Sequence, residues 1–352
     1  MHRRRFLATL GASVIGGCAG QASTTGEQPT TAPPTEPPTT SRPTTERTTE
    51  RTTVEAESTP TRGEVLVKRG REHLRAAVVA FVEAAEGEDP TIVDVTAATS
   101  EFSRFDVDEA YRAAREDLDE AKKFAEGELA DELADLIAVA EFVNVLGYAQ
   151  IQLVNSYGRV NTAVRTLYTE SYGQLADNVD DIRSQRRSAA QHATTLRETA
   201  DASAFGVVEY ISAEQFEVKM AQIDRELATL DGLATSLDGL GDPLEALEDD
   251  VNDYTARRYD GVSFSSASFE DARDRLAAIE PAESLRPTVD ELACVFDALA
   301  AGVGEMQKAA LAQRNDDRSA ASGYEDDAVA AFQSCPTLVE EVRAVGELVD
   351  SL

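Results

Sequence analysis

Leu285-Arg-Pro-Thr-Val289-Asp-Glu-Leu292-Ala-Cys294-Val-Phe296-Asp-Ala-Leu299-Ala-Ala-Gly-Val303-Gly-Glu-Met306 is the stretch whose spacing decides the architecture. Its apolar residues return after four and three positions in turn. That places them on one stripe of an α-helix and would scatter them over both faces of a strand. The stripe is heptad-like, the pattern of a helix packed lengthwise on another. Leu338, Val342, Val345, Val349 and Leu352 repeat the spacing, and so do Leu233, Leu237, Leu240, Leu244, Leu247, Val251 and Tyr254. The last series crosses Gly241-Asp242-Pro243. That triplet reads as a break: glycine closing one helix, aspartate capping the next, proline in its first turn.

The same periodicity predicts helices over about 64–86, 107–126, 128–155, 161–204, 212–240, 243–258, 267–279, 285–314, 323–334 and 337–352. A turn is expected at Asn155 to Gly158. Strand signals are few, and Ile92-Val93-Asp94-Val95 is the best of them. Leu133 to Val154 is apolar on most faces, but Asp135, Glu141, Asn144, Gln150 and Gln152 interrupt it. It reads as a central helix packed on several sides rather than a membrane span. A helix over 161–204 would be roughly 65 Å long, a length found in antiparallel hairpins and elongated bundles. The expected fold class is therefore all-α: an elongated antiparallel bundle of coiled-coil-like hairpins. Ala114-Arg-Glu-Asp-Leu118 recurs as Ala272-Arg-Asp-Arg-Leu276, and Asp131-Glu-Leu-Ala134 as Asp290-Glu-Leu-Ala293, at nearly equal offsets. Two similar helical halves are the corresponding expectation.

Cys294 and Cys335 have their midpoint at Arg314 and Asn315, where the chain is expected to turn. An antiparallel hairpin of 285–314 on 323–334 brings the two to the same level, so a disulfide is expected, with two free core thiols as the alternative. No zinc, haem or C-x-x-C spacing accompanies them. His73 and His192 have no metal-ligand spacing, and no phosphate-loop, nucleophile-elbow or dinucleotide signature is present. The carboxylate runs at 177–181, 249–253, 316–317 and 325–327 lack the glycine-bearing loop of a calcium site. No catalytic residue, metal or cofactor is assigned. Two groups stand out as a candidate binding rim. Arg183, Arg186 and Arg187 share one helical sector, fitted either to an acidic partner or glycan or to neighbouring carboxylates. Tyr148, Tyr157, Tyr168 and Tyr172 gather around the expected turn.

The N-terminus carries different information. Arg3-Arg4-Arg5-Phe6-Leu7 is followed by a short, weakly apolar run and then Ile15-Gly16-Gly17-Cys18. Paired arginines at Arg3 and Arg4 with Phe6 and Leu7 resemble a twin-arginine export signal, and the second block resembles a lipobox. The resemblance implies a signal over 1–17, cleavage before Cys18 and lipid on its sulfur. Residues 18–62 then alternate Thr pairs with Pro33-Pro34, Pro37-Pro38, Pro43 and Pro60, almost without apolar residues. Such a segment forms no core and tends to extended polyproline II, reaching on the order of 100 Å. It resembles O-glycosylated surface stalks.

The 352 residues hold 65 acids against 33 Lys and Arg, for a net charge of -32, with 3 histidines and no Trp. Lysine is scarce beside arginine, a balance similar to that of proteins from salt-loving archaea. Nucleic acid is disfavoured as a partner by this field. The expected protein is an acidic helical ectodomain over 63–352, lipid-anchored on the outer face of the cell membrane and exposed to the medium. Its expected role is a non-enzymatic scaffold or interaction module for an envelope protein. The alternative is a ligand-capturing ectodomain working with a membrane complex.

Overall fold

Four-and-three spacing becomes helix along most of its length, with breaks at 238–240 and at Val342. In a computed structural model, which describes residues 59–352, eleven α-helices and three short 3₁₀ turns make up the regular structure, and no strand occurs among the described residues. These residues belong to one compact unit. The helices are α1 (Arg62–Val82), α2 (Arg104–Ala121), α3 (Glu128–Tyr168), α4 (Leu175–Thr199), α5 (Ala213–Leu237) and α6 (Gly241–Thr255). They continue with α7 (Ala267–Ala277), α8 (Arg286–Arg314), α9 (Arg318–Gln333), α10 (Pro336–Glu341) and α11 (Arg343–Ser351). The all-α antiparallel expectation holds: α1 lies on α2, α3 on α4, and α8 on α9.

α1 starts with a capping box, Thr61 accepting from Glu64 N while the Glu64 carboxylate accepts from Thr61 N. α3 is the centre. Leu136, Phe142, Val143, Leu146, Leu153, Val160 and Leu167 are buried along it, under α2, α4 and α5. α3 is long and apolar enough to cross a membrane, but half of its most apolar window is buried within the fold. The seam over 285–306 is the core face of α8, with Leu292, Phe296, Leu299, Val303 and Met306 all buried. Gly302 lets α9 approach closely, since a Cβ there would run into the Phe332 ring. Cys294 and Cys335 are joined across this hairpin, their Cα atoms 5.6 Å apart.

The structure corrects several boundaries. Asn155 to Gly158 is not a turn, and no single helix covers 161–204. α3 runs through to Tyr168, because Leu153, Ser156, Val160 and Ala163 are buried there and Ser156 Oγ donates to Ile182 O of α4 at 3.2 Å. Tertiary burial outweighs the weak helix propensity of Asn and Gly. The break comes instead at Glu170, in the left-handed region at φ 55. Ser171 N closes the helix end by donating to Thr166 O at 3.3 Å. Glycine is the usual occupant of such a position, but here the carboxylate is engaged elsewhere. It accepts from Arg343 at 2.6 and 2.9 Å and from Ala344 N, at the start of α11, at 3.0 Å. Arg343 also reaches Glu248 of α6 at 3.0 Å, so one guanidinium ties α11 and α6 to the turn that follows α3.

At the other expected break, Gly239 takes the left-handed conformation at φ 76 and Gly241 begins α6. Residues 92–95 form turns rather than a strand. The 337–352 segment splits at Val342, whose backbone is extended. The recurring pairs occupy matching places: 114–118 lies in α2 and 131–134 opens α3, while 272–276 lies in α7 and 290–293 opens α8. In both, a short helix is followed by a long one, and a third helix packs back on it.

Candidate functional site

The fold's most unusual chemistry lies under the loop between α1 and α2. Residues 91–99 are folded into turns, and Ile92, Val95 and Ala97 are buried. Buried main-chain groups outside a helix or sheet need partners. Here α5 and α3 supply them from side chains. Lys219 Nζ donates to Val95 O and, at 2.9 Å, to Gln150 Oε1. Gln150 Nε2 donates to Thr96 O at 2.7 Å. Glu226 Oε1 accepts from Ala97 N at 2.9 Å and from Ser284 Oγ at 3.0 Å. Thr229, one turn on, accepts from Ala282 N at 2.8 Å.

Lys219 and Glu226 have no exposed surface. Burial drives the Lys219 ammonium down to about 8, against the opposing pull of Glu226 and Asp94. Burial pushes Glu226 up, against Lys219 and the Ala97 N–H. The Phe81 ring lies 5.8 Å from Nζ. A lysine near neutrality beside a reluctant carboxyl has the acid–base properties of a catalytic pair. A proton-transfer group must however reach the reacting atom. These two are sealed from the surface, with Lys219 and one Glu226 oxygen bound to loop main chain and neighbouring side chains and Glu226 Oε2 buried without a partner among the described residues, so the arrangement fastens the loop to α5. The other buried charged residues are also paired. Asp117 holds Arg69 at 3.0 Å, and Asp250 accepts from Ser263 N at 2.9 Å.

Neither Lys219 nor Glu226 stands out in the sequence. The available signal is positional: both fall on the apolar arc of α5 set by Phe216, Ile223, Leu227 and Leu230, seven residues apart.

The expected tyrosine rim is dispersed. Tyr148 and Tyr157 sit on opposite sides of α3, and Tyr148 and Tyr168 are about 30 Å apart along it. Tyr148 is sandwiched: the Arg104 guanidinium lies 3.2 Å from its ring centroid, and the His192 ring stacks at 5.2 Å. His192 is therefore half-buried, and burial and Arg104 lower its pKa. Tyr157 shares a 2.8 Å hydrogen bond with Thr288 of α8. Tyr168 donates to Glu291 at 2.6 Å, and its own desolvation together with that carboxylate raises its pKa. Tyr172 is buried, and desolvation raises it too.

Of the arginines, Arg183 pairs with Asp238 at 2.8 Å, and Arg186 donates to Leu227 O at 3.1 Å and pairs with Asp231 at 3.2 Å. Both clamp α4 onto α5; Arg187 is exposed. Arg3, Arg4, Phe6, Leu7 and Cys18 lie outside the described residues, as does nearly all of 18–62. Among the described residues no group of three or more His, Cys, Asp or Glu is placed to hold a metal ion.

The surface carries open grooves. One of about 580 Å³ runs between α5 and α7 beside Gly232 and Ile279, and one of about 490 Å³ lies between α1 and residues 207–210. Fold and site together define an all-α helical-hairpin protein with a sealed polar fastener. No protein-family model, curated protein or solved structure matches the chain.

Proposed function

We propose that this is an exported protein, anchored by lipid at Cys18, whose helical domain acts without catalysis as a binding or scaffolding module on the outer face of the cell membrane. The anchoring half of the reading is supported by Arg3-Arg4-x-Phe6-Leu7 and Ile15-Gly16-Gly17-Cys18, which resemble an export signal and a lipobox at suitable spacing. The Thr/Pro segment that follows has the composition of a stalk. The observation that carries the non-catalytic half is the commitment of the buried charges. Lys219 gives its ammonium to Val95 O and Gln150, Glu226 gives one carboxylate oxygen to Ala97 N and Ser284, and Asp250 gives one to Ser263 N. A module of this kind would meet an envelope partner through its hydrated acidic surface.

Fractionation of cells expressing the full chain tests the reading. The wild-type protein is expected in the membrane fraction with added lipid mass at residue 18. Cys18→Ala is expected in the medium or soluble fraction, and Arg3→Lys with Arg4→Lys inside the cell. Recovery of the intact chain from the cytosol with Met1 retained would overturn it. A second reading, ligand capture, is favoured by one specific feature, the groove against α1.

A further inference from the structure

Four polar side chains form one stripe along α5. Lys219, Gln222, Glu226 and Thr229 follow one another at intervals of three and four, the spacing of a single helical face. Lys219 is paired with Val95 O and Gln150, and Thr229 with Ala282 N. Between them lie two oxygens that are buried and have no hydrogen-bond partner among the described residues, Gln222 Oε1 and Glu226 Oε2. Buried acceptors are ordinarily paired. These two belong to residues four apart, whose side chains are neighbours on a helix surface. An amide oxygen and an ionised carboxylate are both acceptors, so in that state neither can satisfy the other. The other Glu226 oxygen is taken by two neutral groups, Ala97 N from the loop and Ser284 Oγ from the segment before α8. Lys219 is the charge that acts on Glu226, and Asp94 in the loop acts on Lys219. The ammonium gives its hydrogen bonds to Val95 O and Gln150, and forms no ion pair with Glu226.

We propose that Glu226 is a neutral carboxylic acid in the folded protein at neutral pH, its proton on Oε2 and donated to Gln222 Oε1, so that a bound proton locks the fastener under residues 91–99. One proton satisfies both oxygens. A protonated carboxyl gains an O–H donor and keeps acceptor capacity for Ala97 N and Ser284. The ionised form leaves a dry, unpaired carboxylate oxygen beside a second unpaired acceptor, and that is the costly state of a buried group. Burial acts on Glu226 in the same direction, with Lys219 opposing it. In the unfolded chain the same carboxyl is solvated and ionised at neutral pH, so folding takes up a proton. The lock therefore has a sign. The grip of α5 on the loop is full below the unfolded value of 4.5 and weakens as rising pH works against the bound proton.

The test compares the purified full chain with Glu226→Gln and Gln222→Leu. Glutamine at 226 reproduces the neutral acid, its amide donating where the O–H does. At neutral pH the wild-type minus Glu226→Gln infrared difference spectrum should contain the carbonyl band of a protonated carboxyl, since solvated acids are ionised there. In Gln222→Leu the band should persist at higher frequency, its hydrogen bond lost. In denaturant titrations the wild-type folding equilibrium constant should fall about tenfold per pH unit, from about pH 5 to about pH 7, relative to Glu226→Gln. The variant should accordingly be the more stable protein at neutral pH. An absent band, a constant ratio between the two proteins, or a Glu226→Gln protein destabilised at every pH would overturn the proposal and make Glu226 an ionised counter-charge to Lys219. A band unmoved by Gln222→Leu would overturn the donation to Gln222. Should Glu226→Gln fail to fold, the wild-type minus Gln222→Leu spectrum still carries the displaced pair of bands, and their absence overturns the proposal. Neither result bears on the membrane fractionation, so the two readings fail separately.

Discussion

Lys219 is a cation held completely dry, and the consequence is a measurable pH dependence. Its pKa falls from 10.5 to about 8 through burial. Between those values the unfolded chain holds a proton that the folded chain has released, so stability rises with pH across the window. Below pH 8 both states carry the charge, and the folded state bears the whole desolvation cost. Glu226 has the opposite sign: its raised pKa means stability falls as pH climbs from 4.5 through the folded value. Lys219→Met should remove the alkaline rise. Denaturant titrations between pH 8 and 10.5 should show the wild-type unfolding free energy gaining about 3 kcal/mol relative to the variant. Parallel curves would mean that the ammonium is not desolvated. These residues are illegible in the sequence because a charged side chain beside an apolar stripe normally reaches water. Their place on the apolar arc of α5 is the one local signal; the need for a buried donor and acceptor there comes from the loop, folded without helix or strand, far along the chain.

At the scale of elements, the α8–α9 hairpin is readable from the sequence and the α3–α4 hairpin is not. For α8 and α9 the apolar stripe, the turn residues at 315–317 and the cysteine spacing point the same way, and the chain follows them, except that α9 starts at Arg318 rather than at 323. For α3, Asn155 and Gly158 resemble a turn, but buried neighbours on α4 override them. The true break falls on Glu170, whose left-handed backbone is compensated by contacts 173 and 174 residues away. Long-range compensation has no local signature. The bridge itself supports a prediction. It spans a sequence separation of 41, for which loop-closure entropy gives about 4 kcal/mol. Replacing both cysteines by alanine should lower the unfolding free energy by roughly that amount in guanidinium titrations. Non-reducing mass spectrometry of the wild type should find no alkylatable thiol at Cys294 or Cys335, and two free thiols there would remove the basis of the prediction.

Across the whole molecule, a net charge of -32 on 352 residues makes self-repulsion a global term that salt can tune. The ion pairs do not cancel it, because most lie at the surface and contribute little individually. Raising potassium chloride from about 0.1 M to about 2 M shortens the screening length from roughly 10 Å to below 3 Å. The thermal midpoint should climb steeply over that range. A flat profile would show that the carboxylates are already too far apart to repel. Composition alone makes this property legible, whereas the groove at Tyr210 is hidden in the sequence because it joins residues about 140 positions apart. The fastener under residues 91–99 has a mechanical consequence. Tension entering the chain ahead of Thr61 is borne first by α1, whose main neighbour is α2. Peeling can advance to Val82, but beyond it Val95 and Ala97 are gripped by α5. The load then passes into the interior helices, so the loop is an arrester that separates yielding at the edge from rupture of the core.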